Sequence, residues 1–598
     1  MKKYILIFLL FPVIQVWGQV DYQIKKIEIQ GNVTLDNSLL FDQMNTRDMN
    51  IGEHLLFWKM TPQYSPIILE NDVERLKSFY QRNGFLDAQV NKELTVNDKR
   101  RQVSIALTIQ EGKPMMLRSS SVREVGKKQT GILEEVRNKL PVKVNERFED
   151  RKVYTAMAQI SQAYKNKGYP FVRVDKNIQV DTAKHSANLS FQVFPGKKST
   201  FGHVTFQGDS LVSEHFLRQK LHFKTGELYS QEKLDKSQEV IFETGLFNYV
   251  VIRGQKDSVI NGKMPVLIRL NELPQWSFKG GVGYGTEDRF RVSSELIKRQ
   301  FLGGARKLIL EAKRSYFLPV SVDAKFIQPN LFNKELDFVL NPFFIREREK
   351  SYEVDRLGTG LTLQKNFTQT LSAFLTYSME HDYLIDKTLS DTLNLKDRRT
   401  YNKSGITIGV NKNSTDNIFE PTKGWKIDGY YTYMGLGFQS EYRYYKIALE
   451  TRHYKKVSRG YVFAGKLHGG IIEPLEKGGE TPLEDRFLIG GGSSLRGWSR
   501  HSLSPKNKEG KAIGGNTMLE GSLELRFPVY DILSGAVFVD AGNVWKNPMH
   551  FDLNDLYYDA GLGLRVKTPI GPVRLDMAYP VFNEKSKGQF YISLGHAF

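Results

Sequence analysis

Leu519-Glu520-Gly521-Ser522-Leu523-Glu524-Leu525-Arg526-Phe527 is the stretch on which the fold turns. Read at the two-residue period of a β-strand, Leu519, Gly521, Leu523, Leu525 and Phe527 share one face, and Glu520, Ser522, Glu524 and Arg526 share the other. Three ionisable groups on one face exclude a dry core on that side, because unpaired charge is costly to bury. An apolar face backed by a charged one suits a strand standing in lipid around a polar lumen.

The same texture recurs on either side. Ala560, Leu562, Leu564 and Val566 alternate with Asp559, Gly561, Gly563, Arg565 and Lys567, and Val573, Leu575, Met577 and Tyr579 alternate with Arg574 and Asp576. From Trp276 to Phe598 such runs are separated by clusters of Gly, Asn, Asp and Pro, which punctuate strands. At roughly 20 residues per strand and connection, this length holds about 16 strands, the even number expected of a bacterial membrane barrel. The last run, Phe590 to Phe598, places Phe590, Ile592, Leu594 and Phe598 toward lipid and Ser593, Gly595 and Ala597 inward. As the edge of a soluble sheet it would invite aggregation.

Upstream, residues 20 to about 272 repeat at roughly 80 residues, a periodicity that marks an array of similar units. Each copy opens on a short strand: Ile24, Ile27 and Ile29 lead into Gly31-Asn32, and Phe201, Val204 and Phe206 into Gly208-Asp209. A helix follows. In the first copy Val73, Leu76 and Tyr80 recur at helical spacing, and Asn71 with Glu74 reads as a capping box. The helices end at Gly84-Phe85, Gly168-Tyr169 and Gly245-Leu246-Phe247, where glycine suits the positive φ of a helix C-terminus. Strands such as Val103-Ile105-Leu107-Ile109 close each copy, at Glu111-Gly112, Pro195-Gly196 and Asn271-Glu272. The order strand, helix, helix, strand, strand is a small α+β module.

The N-terminus reads as a secretory signal, with Lys2 and Lys3 before the apolar run Tyr4 to Val16 and a small Gly18 near the cleavage point. That run is shorter than the roughly 20 residues a membrane helix needs. The 598 residues contain no cysteine, which excludes disulfides, thiolate metal sites, cysteine nucleophiles and a lipid-modified N-terminal cysteine. The net charge of +19 fits either lysine-rich solvated faces or anionic lipid headgroups as counter-charge, and nucleic acid less well, since an exported chain rarely meets it.

Three motifs stand in order near the C-terminus: Leu495-Arg496-Gly497-Trp498, then Gly514-Gly515-Asn516 running into Ser522-Leu523-Glu524-Leu525, then Phe538-Val539-Asp540-Ala541-Gly542. Together with the upstream modules they resemble the outer-membrane assembly and translocation superfamily, which includes BamA- and TamA-like proteins. The first motif resembles that family's lumen-loop signature, with Trp in place of the usual Phe or Tyr, and the last its inward-facing strand signature. The terminal Phe of an amphipathic strand resembles the C-terminal signal of outer-membrane proteins. The resemblance makes the modules POTRA domains, three in number as in TamA-like members, and divides the chain into a signal peptide over 1–19, POTRA domains over 20–114, 115–198 and 199–273, and a transmembrane β-barrel over 274–598. It implies that Arg496 reaches Asp540 and Glu524 within the lumen, and strand alternation independently turns both carboxylates inward. It further implies a seam between a first strand within Trp276–Gly285 and the last strand, weakened by glycines and able to pair with an incoming strand.

The function so implied is assembly, insertion or translocation of proteins at the outer membrane of a Gram-negative bacterium. The POTRA domains would stand in the periplasm. The partners implied are unfolded outer-membrane proteins, outer-membrane lipids and accessory periplasmic or inner-membrane proteins, with no nucleic acid and no cofactor. The alternatives are a two-partner-type secretion channel, which usually carries a plug helix and two modules, and a passive pore, which needs no folded modules. Enzyme readings find little support. Gly281-x-Gly283-x-Gly285 lacks the following helix and lysine of a nucleotide loop, G-x-S-x-G and H-E-x-x-H are absent, and the 11 histidines are scattered.

Overall fold

The computed structural model of the chain describes residues 22–48, 62–126, 131–208, 212–333, 336–385, 400–437, 440–458, 460–477, 479–508, 510–530, 532–568, 572–582 and 587–594. The signal-peptide reading of 1–19 and the terminal Phe598 lie outside them. One compact unit holds residues up to 121 with 141–156 and 178–190; the other holds the remainder, including the whole barrel.

The first module comprises β1 (Gln23–Gln30), α1 (Asn37–Phe41), α2 (Pro66–Arg82), β2 (Gln89–Asn97) and β3 (Gln102–Gln110). β3 is central, parallel to β1 and antiparallel to β2. Its alternation turns Val103, Ile105, Leu107 and Ile109 to one face, where they pack with Leu69, Val73, Leu76 and Tyr80 of α2. Each such side chain removed from water contributes roughly 1.5–3 kcal/mol. The helix does not begin at the expected capping box of Asn71 and Glu74. Pro66 occupies its first turn and Ser65 caps it, the hydroxyl accepting from the Ile68 amide at 3.4 Å. Proline has no N–H to satisfy and a pre-set φ, so it starts a helix at no cost and leaves Asn71 in the helix interior. Glu111 ties the module's end to its beginning, accepting from the Thr34 amide and hydroxyl and from Tyr80. Burial, with this carboxylate beside it, holds the Tyr80 phenol well above its ordinary value.

The second module has β4 (Met116–Glu124), α3 (Ile132–Arg137), α4 (Asp150–Asn166), β5 (Arg173–Asp181) and β6 (Ser186–Phe194), with sheet order β4-β6-β5. The third has β7 (Thr200–Gln207), α5 (Glu214–Gln219), α6 (Gln231–Glu243), β8 (Phe247–Gly254) and β9 (Lys263–Glu272), ordered β7-β9-β8. In all three the glycine closing the long helix has a positive φ: 89° at Gly84, 96° at Gly168 and 62° at Gly245. That shared backbone state explains why glycine recurs in phase.

The remaining strands are β10 (Trp276–Gly285), β11 (Arg289–Arg299), β12 (Lys307–Arg314), β13 (Val320–Gln328), β14 (Asp337–Arg348), β15 (Glu353–Thr368), β16 (Leu371–Leu384), β17 (Thr400–Asn413), β18 (Gly424–Met434), β19 (Tyr444–Ser458), β20 (Tyr461–Pro474), β21 (Thr517–Tyr530), β22 (Leu533–Trp545), β23 (Tyr557–Val566), β24 (Val573–Val581) and β25 (Gln589–Leu594). They form one 16-stranded sheet in sequence order. Antiparallel neighbours in chain order make a meander that curls into a nearly closed barrel. On β21 and β22 Leu523, Leu525, Val537 and Val539 are exposed outward, while Glu520, Ser522, Glu524, Arg526 and Asp540 are buried inward. This is the expected partition between lipid and lumen. Ala305, in the turn between β11 and β12, joins the apolar core of the third module, which fastens that module to the barrel beside its first hairpin.

Candidate functional site in the barrel lumen

The connection between β20 and β21, residues 475–516, does not stay outside. Ile489 and Leu495 are fully buried and join Phe487, Ile472, Met518 and Val544 in an apolar cluster, with Trp498 packed on it. Phe487 and Gly515 exchange both backbone hydrogen bonds, at 2.9 and 3.0 Å, pinching the loop at its neck. With its apolar side down on the wall, the loop carries its polar groups into the lumen.

Arg496 is 1% exposed. Its Nε and Nη2 donate to Oδ2 and Oδ1 of Asp540 at 2.8 and 2.9 Å, the two-pronged geometry that a guanidinium forms best with a carboxylate. Nη1 donates to Oε2 of Glu524 at 2.7 Å and Nη2 to the Ser522 hydroxyl at 3.1 Å. The guanidinium carbon lies 3.3 Å from the Phe538 ring centroid, so the ring forms the floor of the site. Phe538, Asp540 and Gly542 share the inward face of β22, one strand period apart. At Gly542 any side chain would collide with Leu519 and Glu520 of β21. Gly497 is constrained likewise, since a Cβ would stand 2.4 Å from that of Asp559.

The cluster extends beyond these residues. Arg526 donates to Glu524 at 2.7 Å, Arg565 bonds Asp576, and Arg574 approaches Asp576 at 3.1 Å. Asp559 lies across the ladder from Asp540. Four arginines thus face four carboxylates in the lumen, a balance that makes burial of so much charge tolerable.

The same loop docks a second time with reversed polarity. Here the loop supplies acids, Glu484 and Asp485, and the wall supplies the base. Lys403 of β17 donates to Glu484 at 2.7 Å and Asp485 at 3.0 Å, and lies 2.9 Å from Asp382 of β16. Tyr401 donates to Glu484 at 2.9 Å, Tyr444 to Asp485 at 2.7 Å, and Lys446 to the Asp485 carbonyl at 2.7 Å. A third tie joins Arg500 and His501 of the loop to Glu349, at 2.7 and 3.1 Å. Among the described residues no group of three or more His, Cys, Asp or Glu is placed to hold a metal ion.

Neighbouring strands from β10 through β25 are joined by ladders, but no ladder joins β10 to β25 among the described residues. Their backbones meet at Thr286, just past β10, whose amide donates to the Ile592 carbonyl at 3.2 Å and whose hydroxyl accepts from the Ile592 amide at 3.3 Å. Along β10, Phe278, Val282 and Tyr284 are exposed, as are Phe590 and Leu594 on β25; Ile592 is half-buried. Tyr591, between them, points inward and is buried, its hydroxyl donating to the Trp498 carbonyl at 2.7 Å. Sequence alternation already places Tyr591 opposite to Phe590 and Ile592, yet a tyrosine near a strand end reads as an interfacial aromatic. The acidic anchor at Glu484 and Asp485 carried no signal of that kind.

Both the modules and the barrel resemble known proteins. The Omp85 superfamily domain matches residues 300–598, and the POTRA family, described as a surface antigen variable number repeat, matches 22–112, 122–196 and 199–272. The outer membrane protein assembly factor BamA of Nitratidesulfovibrio vulgaris is 23% identical over 593 residues, covering 96% of this chain and 73% of that protein. BamA of Neisseria meningitidis serogroup B is 22% identical over 638 residues, covering 96% of this chain and 78% of its own. Among solved structures, Haemophilus ducreyi BamA lacking POTRA domains 1–3 superposes with a TM-score of 0.63 at 22% identity, over 80% of this chain and 99% of that one. With its modules and barrel both matched, the chain belongs to the Omp85 superfamily.

Proposed function

We propose that this protein is an outer-membrane protein assembly factor, with its POTRA domains in the periplasm and its barrel seam receiving client strands. The observation that carries this reading is that, among the described residues, no ladder joins β10 to β25, while every other pair of neighbours in the sheet is laddered. A strand edge with free N–H and C=O groups templates pairing with another chain. Unfolded outer-membrane proteins bring such strands. The POTRA sheets, with the solvent-exposed edge strand β2 among them, would hold clients extended on the way, together with accessory periplasmic or inner-membrane proteins, and membrane lipids would surround the barrel. Arg496 with Asp540, Glu524 and Phe538 acts as the latch of the lumen loop, and the last strand, with Phe590, Ile592 and Leu594 outward, as part of the chain's own assembly signal.

Depletion followed by quantitative proteomics of the outer membrane tests the reading. Loss of many barrel proteins is expected of a general factor and loss of a few of an accessory one. Loss of a single exported protein would instead indicate a dedicated secretion channel, and an unchanged proteome would overturn the assembly role.

A further inference from the structure

Gly492 lies where three strands converge on the loop. Its amide donates to Oε2 of Glu287 at 3.1 Å, and Glu287 sits in the β10–β11 hairpin directly after Thr286. Its carbonyl accepts from Arg574 of β24 at 2.6 Å. A Cβ at Gly492 would lie 3.1 Å from the Tyr591 ring of β25 and 3.3 Å from Glu287. Six residues on, Trp498 accepts from the Tyr591 hydroxyl. Between these two contacts lies Arg496, locked into β21 and β22.

We propose that the lumen loop is an internal staple of the seam, with Glu287 and Tyr591 as positioning residues that hold the first and last strands at a set separation. The strands themselves exchange bonds at only one point among the described residues. The loop adds one bond to the β10–β11 hairpin and one to β25 from inside, and Arg496 fixes the segment between. Releasing Arg496 would therefore release both strands at once. The significance of this for client entry rests on the proposed assembly function, but the staple itself does not.

Because the chain has no cysteine, a Thr286→Cys, Ile592→Cys pair reports strand approach through its rate of disulfide formation. The measurement uses the full-length protein in vesicles of phosphatidylethanolamine and phosphatidylglycerol. In this background Glu287→Ala with Tyr591→Phe should slow oxidation about tenfold, the order expected for losing hydrogen bonds to a charged acceptor and to a carbonyl. Glu287→Gln, which keeps an acceptor for the Gly492 amide, should restore most of the rate. Tyr591→Phe alone, which removes a single oxygen, should give part of the loss in a barrel whose heat-modifiable migration is unchanged. An oxidation rate unaltered in both the double variant and Tyr591→Phe overturns the staple. Client insertion is scored separately in the same vesicles: a parent protein that inserts no client sinks the assembly reading and leaves the oxidation result standing.

Discussion

Two of the docking points of the lumen loop hold the same segment by opposite chemistry. At one, a guanidinium from the loop enters a carboxylate cluster on β21, β22 and β24. At the other, two carboxylates from the loop close on an ammonium and two phenols of β17 and β19. The difference lies in directionality. A guanidinium presents several N–H groups in one plane, so it fixes orientation as well as distance, whereas an ammonium is a compact charge that tolerates rotation of its partners. The arginine site specifies where the loop lies to within a bond; the lysine site fastens it more loosely. The tight site is also the one nearer the seam in the chain, between Gly492 and Trp498, which bond to the hairpin of the first strand and to the last strand.

Breaking the tight site should have the largest effect. Arg496→Ala leaves Asp540 and Glu524 buried with their main partner gone, and loss of one member of a buried pair costs about 3–5 kcal/mol. A lower temperature for loss of the compact, heat-modifiable form on gels checks this, together with reduced client insertion. Arg496→Lys sharpens the comparison, since it keeps the charge and discards the fork. It should recover less than half of the loss. Full recovery would mean that charge alone, with no directional bonding, holds the loop.

Lys403→Met makes the corresponding break at the loose site. It should cost less, about 2–3 kcal/mol, because the Tyr401 and Tyr444 hydroxyls still serve the loop acids and Lys446 still holds the Asp485 carbonyl. The same gel transition measures it. A penalty equal to that of Arg496→Ala would erase the distinction between the sites. Combining the two substitutions asks whether they are independent. Sites on separate strands add to within about 0.5 kcal/mol, and a larger coupling would show that the loop is released as one body.

What was legible beforehand follows the same division. Strand period alone turned Asp540, Glu524, Asp576 and Arg565 inward, because a two-residue repeat leaves no freedom about facing. Arg496 was singled out by the Leu-Arg-Gly-Trp motif. The lysine site was invisible because its acids come from an irregular stretch, Leu483–Asp485, and no periodicity says where such a segment will land. Alternation turns Tyr591 inward, opposite Phe590, Ile592 and Leu594, but it does not say that the hydroxyl reaches the Trp498 carbonyl of a loop 93 residues away. In the first module the fold was legible and the helix start was not. Asn71 and Glu74 match a capping box, but a pattern match cannot compete with Ser65-Pro66, which satisfies the helix end directly.

Trp498 allows the smallest and most selective change. Its ring meets Tyr557 edge-on, with centroids 5.2 Å apart and planes at 74°, and its indole N–H has no protein acceptor among the described residues. The bond to Tyr591 uses its backbone carbonyl, which substitution leaves in place. Trp498→Phe should therefore lower stability by less than about 1 kcal/mol, since an aromatic edge contact can be kept and no hydrogen bond is lost. Heat-modifiable migration and seam oxidation should both stay close to those of the parent. If seam oxidation slows while the thermal transition stays put, the indole itself sets the path of the loop toward β25, and the precision credited to Arg496 is shared with the aromatic two residues on.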